Sequence, residues 1–146
     1  MRHATWLLVL CSPVLLIAQA PKTFKTRLAP VPIDISMQAT VAGSGTASAT
    51  LSGSKLTVTG SFEGLRSPAT TAQLHRSPVR GVRGPAVFDL AVSKTDSTSG
   101  TLSGTVELSA VQVTDLEKGR LYVQLQSEKA PDGNLWGWLT LVEAKR

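Results

Sequence analysis

His75 is the residue with the most chemistry within reach, and its neighbours sharpen the question. The stretch AQLHRSPVRGVRGPAVFDL, residues 72–90, places Arg76, Arg80 and Arg83 just after it, among prolines and glycines. An imidazole beside a hydroxyl and a carboxylate can run acyl transfer. No G-x-S-x-G turn is present, so the plainer reading is a histidine at a strand end. Guanidinium forks suit carboxylate, phosphate or sulfate. With Arg66 close by, the arginines read either as an anion-docking patch or as a solvated basic loop. Gly81 and Gly84 suggest a mobile loop rather than a preformed clamp.

Metal and redox chemistry have few residues to work with. Cys11 is the only cysteine, and His3 is the only other histidine. The acids Asp34, Asp89, Asp96, Asp115 and Asp132 are scattered, and no D-x-D-x-D-G calcium loop occurs. No dinucleotide fingerprint or P-loop occurs either. We expect no cofactor, no metal site and no enzymatic activity.

The aromatic residues form a second candidate site. Trp136 and Trp138 are two apart in NLWGWLTLV, so a strand puts both on one face. Leu135, Leu139 and Leu141 take the other, core-facing side. On RLYVQLQ, Leu121, Val123 and Leu125 face the core, which turns Tyr122 towards the tryptophans. Bare indoles are costly in water. A partner, or the chain's own residues 21–32, is expected to cover them.

The elements that must position these residues are strands. Period-two alternation runs through IDISMQATV, then through TASATLSGSKLTVTGSF with a turn at Gly53–Ser54. It continues in TAQLHR, with Ala72 and Leu74 inward and Gln73 and His75 on the other face. AVFDLAV and TLSGTVELS come next. AVQVTDLEKG suggests one helical turn, starting near Thr114 or Asp115 and stopping at Gly119. RLYVQLQ and NLWGWLTLV close as a hairpin across SEKAPDG. PKTFKTRLAPVP, residues 21–32, reads as an extended basic linker or arm. TLSG at 50–53 and again at 101–104 hints at similar hairpins in two halves. About eight short strands predict an all-β, antiparallel Greek-key sandwich.

Composition agrees. The chain has 146 residues, 42% apolar and 17% charged, with net charge +5. That length suits one domain with a real core. No polybasic tail occurs, so nucleic acid is not the expected partner. Residues 1–20 read as an export signal: Arg2, the apolar run WLLVLCSPVLLIA, then AQA as a small-x-small cleavage pattern. Pro21 blurs the cleavage site. The expected location is secreted or periplasmic, with no membrane attachment after cleavage.

Four motifs carry a family likeness: F-x-G-L-x-S-P-A-T-x-A, G-P-x-V-F-D-L, D-L-x-x-G-R-L-Y-V and P-x-G-x-L-x-G. Residues 33–142 resemble a CHRD domain, the repeat first described in chordin. The resemblance implies an immunoglobulin-like β-sandwich outside the cytoplasm with no enzymatic activity attached. The family pattern carries H-x-H near residue 73 and a further histidine near 126. Here those positions are Gln73, His75 and Gln126, so a histidine-based metal role would lack two of its three imidazoles. The late motif, usually built around I-R-G, reads Leu135, Trp136, Gly137, Trp138. The resemblance and the residues together suggest a non-catalytic interaction module for a protein, matrix or glycan partner. The residues proposed for contact are Tyr122, Trp136, Trp138, His75, Arg76, Arg80 and Arg83.

Overall fold

The computed structural model describes residues 19–143. The expected export signal, residues 1–20, lies outside the described residues apart from its last two, as do the last three residues of the chain. Strands β1 (Lys22–Leu28), β2 (Ser44–Ser52), β3 (Lys55–Glu63), β4 (Ala69–Arg76), β5 (Ala86–Lys94) and β6 (Gly100–Glu107) come first. Helix α1 (Ala110–Glu117) is next, then β7 (Leu121–Ser127), β8 (Ala130–Trp138) and β9 (Thr140–Leu141). The nine strands form one antiparallel sheet in the order β8-β7-β4-β5-β6-β3-β2-β1-β9. This is one strand more than the expected eight.

Strand β5 bends the sheet. Its first half pairs with β4 and its second half with β6. The ends of the sheet then approach each other. Ala29 and Trp136 exchange two backbone hydrogen bonds, of 3.1 and 2.9 Å, and the chain steps from β8 into β9 to pair with β1. The result is nearly closed and barrel-like.

Alternation decides what fills it. Ala47, Ala49 and Leu51 of β2, Leu56, Val58 and Phe62 of β3, and Leu74 of β4 share the interior with Leu121, Val123 and Leu125 of β7 and Leu135 of β8. Each is under a tenth exposed, and most are fully dry. Burying such a side chain contributes about 1.5–3 kcal/mol.

Five expectations change. Residues 22–28 are a sheet strand and not a linker, because Phe24 and Leu28 alternate into the core and are 0% exposed. The prolines of this region, Pro21, Pro30 and Pro32, all lie outside the strand. IDISMQATV is not a strand. Asp34 caps a short 3-10 turn, Ile35–Ala39, accepting from the Met37 N–H at 3.2 Å. That local bond competes with a ladder, and it leaves Ile33 and Ile35 exposed. Helix α1 starts well before Thr114. Ser109 and Gln112 form a reciprocal capping box that sets its first turn. Leu141 is exposed and not core, because the chain has already crossed to the β1 edge after Leu139. The repeated TLSG does not mark matching hairpins: the first runs off the end of β2, the second lies inside β6.

Candidate functional site

Register builds the site. His75 on β4 pairs with Tyr122 on β7, and Tyr122 pairs with Trp138 on β8. One row along, Gln73, Gln124 and Trp136 line up in the same way. All six point away from the interior. The His75 and Tyr122 rings stack at 4.9 Å, Tyr122 and Trp136 lie nearly parallel at 5.7 Å, and Trp138 sits 4.8 Å from Tyr122. The expected shared face of Tyr122, Trp136 and Trp138 is present, and His75 belongs to it.

That face is not bare. Tyr122 is 0% and Trp136 2% exposed. Their cover is the loop between β4 and β5, residues 77–85, which was neither of the expected covers. The segment after β1 adds the Ala29 bridge to Trp136.

The loop is pinned, contrary to the mobility expected from its glycines. The Gly84 carbonyl accepts from the Tyr122 hydroxyl at 3.0 Å and lies 2.9 Å from His75 Nδ1. The Gly84 N–H donates to the same hydroxyl at 3.1 Å. Ser77 accepts from Trp138 Nε1 at 3.0 Å and donates to the Val82 carbonyl. The Arg83 guanidinium lies 4.9 Å over the Trp136 ring and donates to the Asp132 carbonyl at 3.1 Å. Glycine at 84 is a packing requirement: a Cβ there would stand 1.8 Å from the Arg76 carbonyl oxygen. Gly133 answers the same need for Trp136, whose indole nitrogen would stand 2.4 Å from a Cβ.

The electrostatics arise from this cover. Burial, which disfavours the charged ring, holds His75 below the ordinary histidine value. The Gly84 carbonyl partly offsets this, and the Arg83 charge adds to the depression. His75 Nε2 has no hydrogen-bond partner. Among the described residues the His75 ring makes no ion pair with a carboxylate.

The arginines do not act as one patch. Arg83 joins the aromatic stack. Arg76 and Arg120 both bind Asp115, at the end of the sheet capped by α1. Arg80 is exposed, with its side chain lying over Gly119. Arg66 is elsewhere, donating to the carbonyls of Gln38 and Ala39. Gly84, Ser77, Asp115 and Arg120 escaped sequence reasoning. Only the D-L-x-x-G-R-L-Y-V motif held a signal, since it spaces Asp115 and Arg120 to meet across Gly119.

Residues 31–139 match the CHRD domain family. The chain belongs to this family. No curated protein and no solved structure gives a significant match. The match begins after β1 and ends before β9, the two strands that pair at the closing edge. Gln73 and His75 on β4 and Gln126 on β7 lie on neighbouring strands of one face. In this CHRD domain the two glutamines form an amide chain: Thr71 donates to Gln126 at 2.9 Å, Gln126 to Gln73 at 3.1 Å, and Gln73 to Asp89 at 2.9 Å. Among the described residues, no three His, Cys, Asp or Glu side chains gather as a metal-binding group.

Proposed function

We propose that this CHRD domain is an exported, non-catalytic interaction module, secreted or periplasmic, that presents the loop 77–85 to a protein or matrix partner. The observation that carries the reading is the Gly84 carbonyl, held by both His75 and Tyr122. It fixes the base of the loop while Val79 and Val82, 60% and 49% exposed, stand at its tip beside Arg80. Exposed apolar and basic side chains on a rigid base lose little conformational entropy on docking. The aromatic stack is then the pedestal of the contact and not the contact itself. A glycan platform on the tryptophan pair would need an open indole face, and Trp136 lies under Arg83. The family and the leader pattern support export. The lone His75, with no carboxylate partner, supports a non-catalytic role. We also read the bent sheet as an immunoglobulin-like Greek-key sandwich, because β3 pairs with β6 around the β4–β5–β6 succession.

The test is capture of envelope or matrix components by immobilised mature protein. A partner of this loop is lost when Val79, Arg80 and Val82 are all changed to Ser, and is kept in Thr59→Ala. Equal capture by both variants sinks the loop as the docking element. Cell fractionation that leaves the full chain in the cytoplasm sinks the export reading.

A further inference from the structure

Beside the loop, at the α1 end of the sheet, a buried carboxylate holds two guanidiniums ready. Asp115, in the last turn of α1, is 3% exposed. Its Oδ2 accepts from Arg76 Nε at 2.6 Å and its Oδ1 from an Arg120 Nη at 3.3 Å. The arginine side chains themselves are 44% and 37% exposed. Among the described residues these are the only side-chain hydrogen bonds either guanidinium makes. Each therefore keeps several N–H donors free. They border a cleft of about 430 Å³ whose walls include Ser77, Pro78 and Pro85.

The charge count favours an anion. Two guanidiniums against one carboxylate leave one positive charge, and Arg80 lies over Gly119, next to Arg120 in the chain. Asp115 spends one oxygen on each arginine, which holds both guanidiniums at the cleft before any ligand arrives. Pre-positioned forks bind oxyanions by paired, charge-assisted hydrogen bonds. The cleft volume lies in the range of small-molecule sites.

We propose that this cleft binds a small oxyanion (phosphate, sulfate or carboxylate), free or carried on a molecule up to about monosaccharide size. The site stands apart from the tip of the loop, so it holds whether or not Val79 and Val82 meet a partner.

The test is calorimetric titration and melting of the mature protein with sodium phosphate or sulfate, against sodium chloride at matched ionic strength. The expected result is saturable binding and stabilisation by phosphate and sulfate beyond chloride. Arg76→Gln and Arg120→Gln each weaken phosphate binding by about tenfold or more. Lys94→Gln removes the same charge from the end of β5 and leaves binding unchanged. Arg120→Lys retains the charge beside Asp115, so it stays folded, yet loses the fork and also binds phosphate more weakly. Glucose 6-phosphate binding tighter than phosphate assigns a carried group, and equal binding assigns the free ion. The proposal is overturned if chloride stabilises as much as phosphate. It is also overturned if Arg120→Lys and Arg120→Gln bind as the unaltered chain does, or if Lys94→Gln loses as much as Arg120→Gln.

Discussion

The two halves of the sheet share one interior and differ completely on the outside. On β2, β3 and β6 the outward positions form rows of hydroxyls: Thr46, Ser61 and Thr101; Ser48, Thr59 and Ser103; Thr50, Thr57 and Thr105. All face solvent, Ser48 in part. On β4, β7 and β8 the outward positions are His75, Gln73, Tyr122, Gln124, Gln126, Trp136 and Trp138. There every residue of β7 is buried. One half is a sheet with a dry face and a wet face. The other is dry on both along β7, while Thr71 of β4 and Asp132 of β8 stay exposed. Both ladders are antiparallel, though only that of the second half carries register shifts, and what covers the second half is the loop 77–85 seated on the aromatic side chains. Strand β7, buried on both faces, gives the loop a dry seat, and the hydroxyl rows offer none. That is why the candidate contacts collect on one side.

The difference can be broken or sharpened by substitution. The largest effect is expected from Trp136→Ala, which empties the covered face and costs about 3–5 kcal/mol in urea unfolding. A cost under about 1 kcal/mol would mean the loop does not cover this ring in solution. Gly84→Ala comes next. Its Cβ meets the Arg76 carbonyl, so the loop must lift, at about 1–3 kcal/mol. Tryptophan emission should shift to the red as Trp136 and Trp138 become wetter, and an unchanged spectrum would contradict the close approach. Tyr122→Phe keeps the ring and removes both hydrogen bonds to Gly84. About 1–3 kcal/mol is expected if the freed Gly84 groups stay dry, and less if water reaches them. Faster amide exchange confined to residues 77–85 would locate the loss.

Acidification acts on the covered half through His75. Its pKa is lowered in the folded chain, so the unfolded chain takes up the proton first as pH falls. The stability His75 contributes is complete above its unfolded value of 6.5 and declines as pH drops below it. Urea midpoints measured at pH 7.5, 6 and 5 should fall more steeply for the unaltered chain than for His75→Gln. Parallel curves would remove His75 from the cause. Asp34 and Asp96 are also lowered, each chiefly by hydrogen bonding, but they titrate below 3.8 and so outside this window. The smallest effect belongs to the open half. Thr59→Ala should stay within about 0.5 kcal/mol, and a larger loss would show that the hydroxyl rows are covered after all.

The sequence by itself determined the class of fold and most of the strands, because a half-buried strand must alternate. Ala47, Ala49 and Leu51 alternate, as do Leu121, Val123 and Leu125, and no other backbone buries both sets. It also determined that Tyr122, Trp136 and Trp138 share a face, since period two allows nothing else. It misjudged residues 22–28 and 33–41 because local signals misled in each. Prolines beyond Leu28 masked the Phe24–Leu28 alternation, and Asp34 diverted an alternating stretch into a turn. Only the tertiary structure decided what lies over the aromatic face and where the arginines go. Periodicity states which way a side chain points from its own strand. It carries no information about which distant loop returns to cover it, and so it could not show that Gly84 seats on Tyr122, that Arg83 leaves its neighbours for Trp136, or that Asp115 gathers Arg76 from β4 and Arg120 from just before β7. Those contacts span up to tens of residues and exist only in the closed sheet.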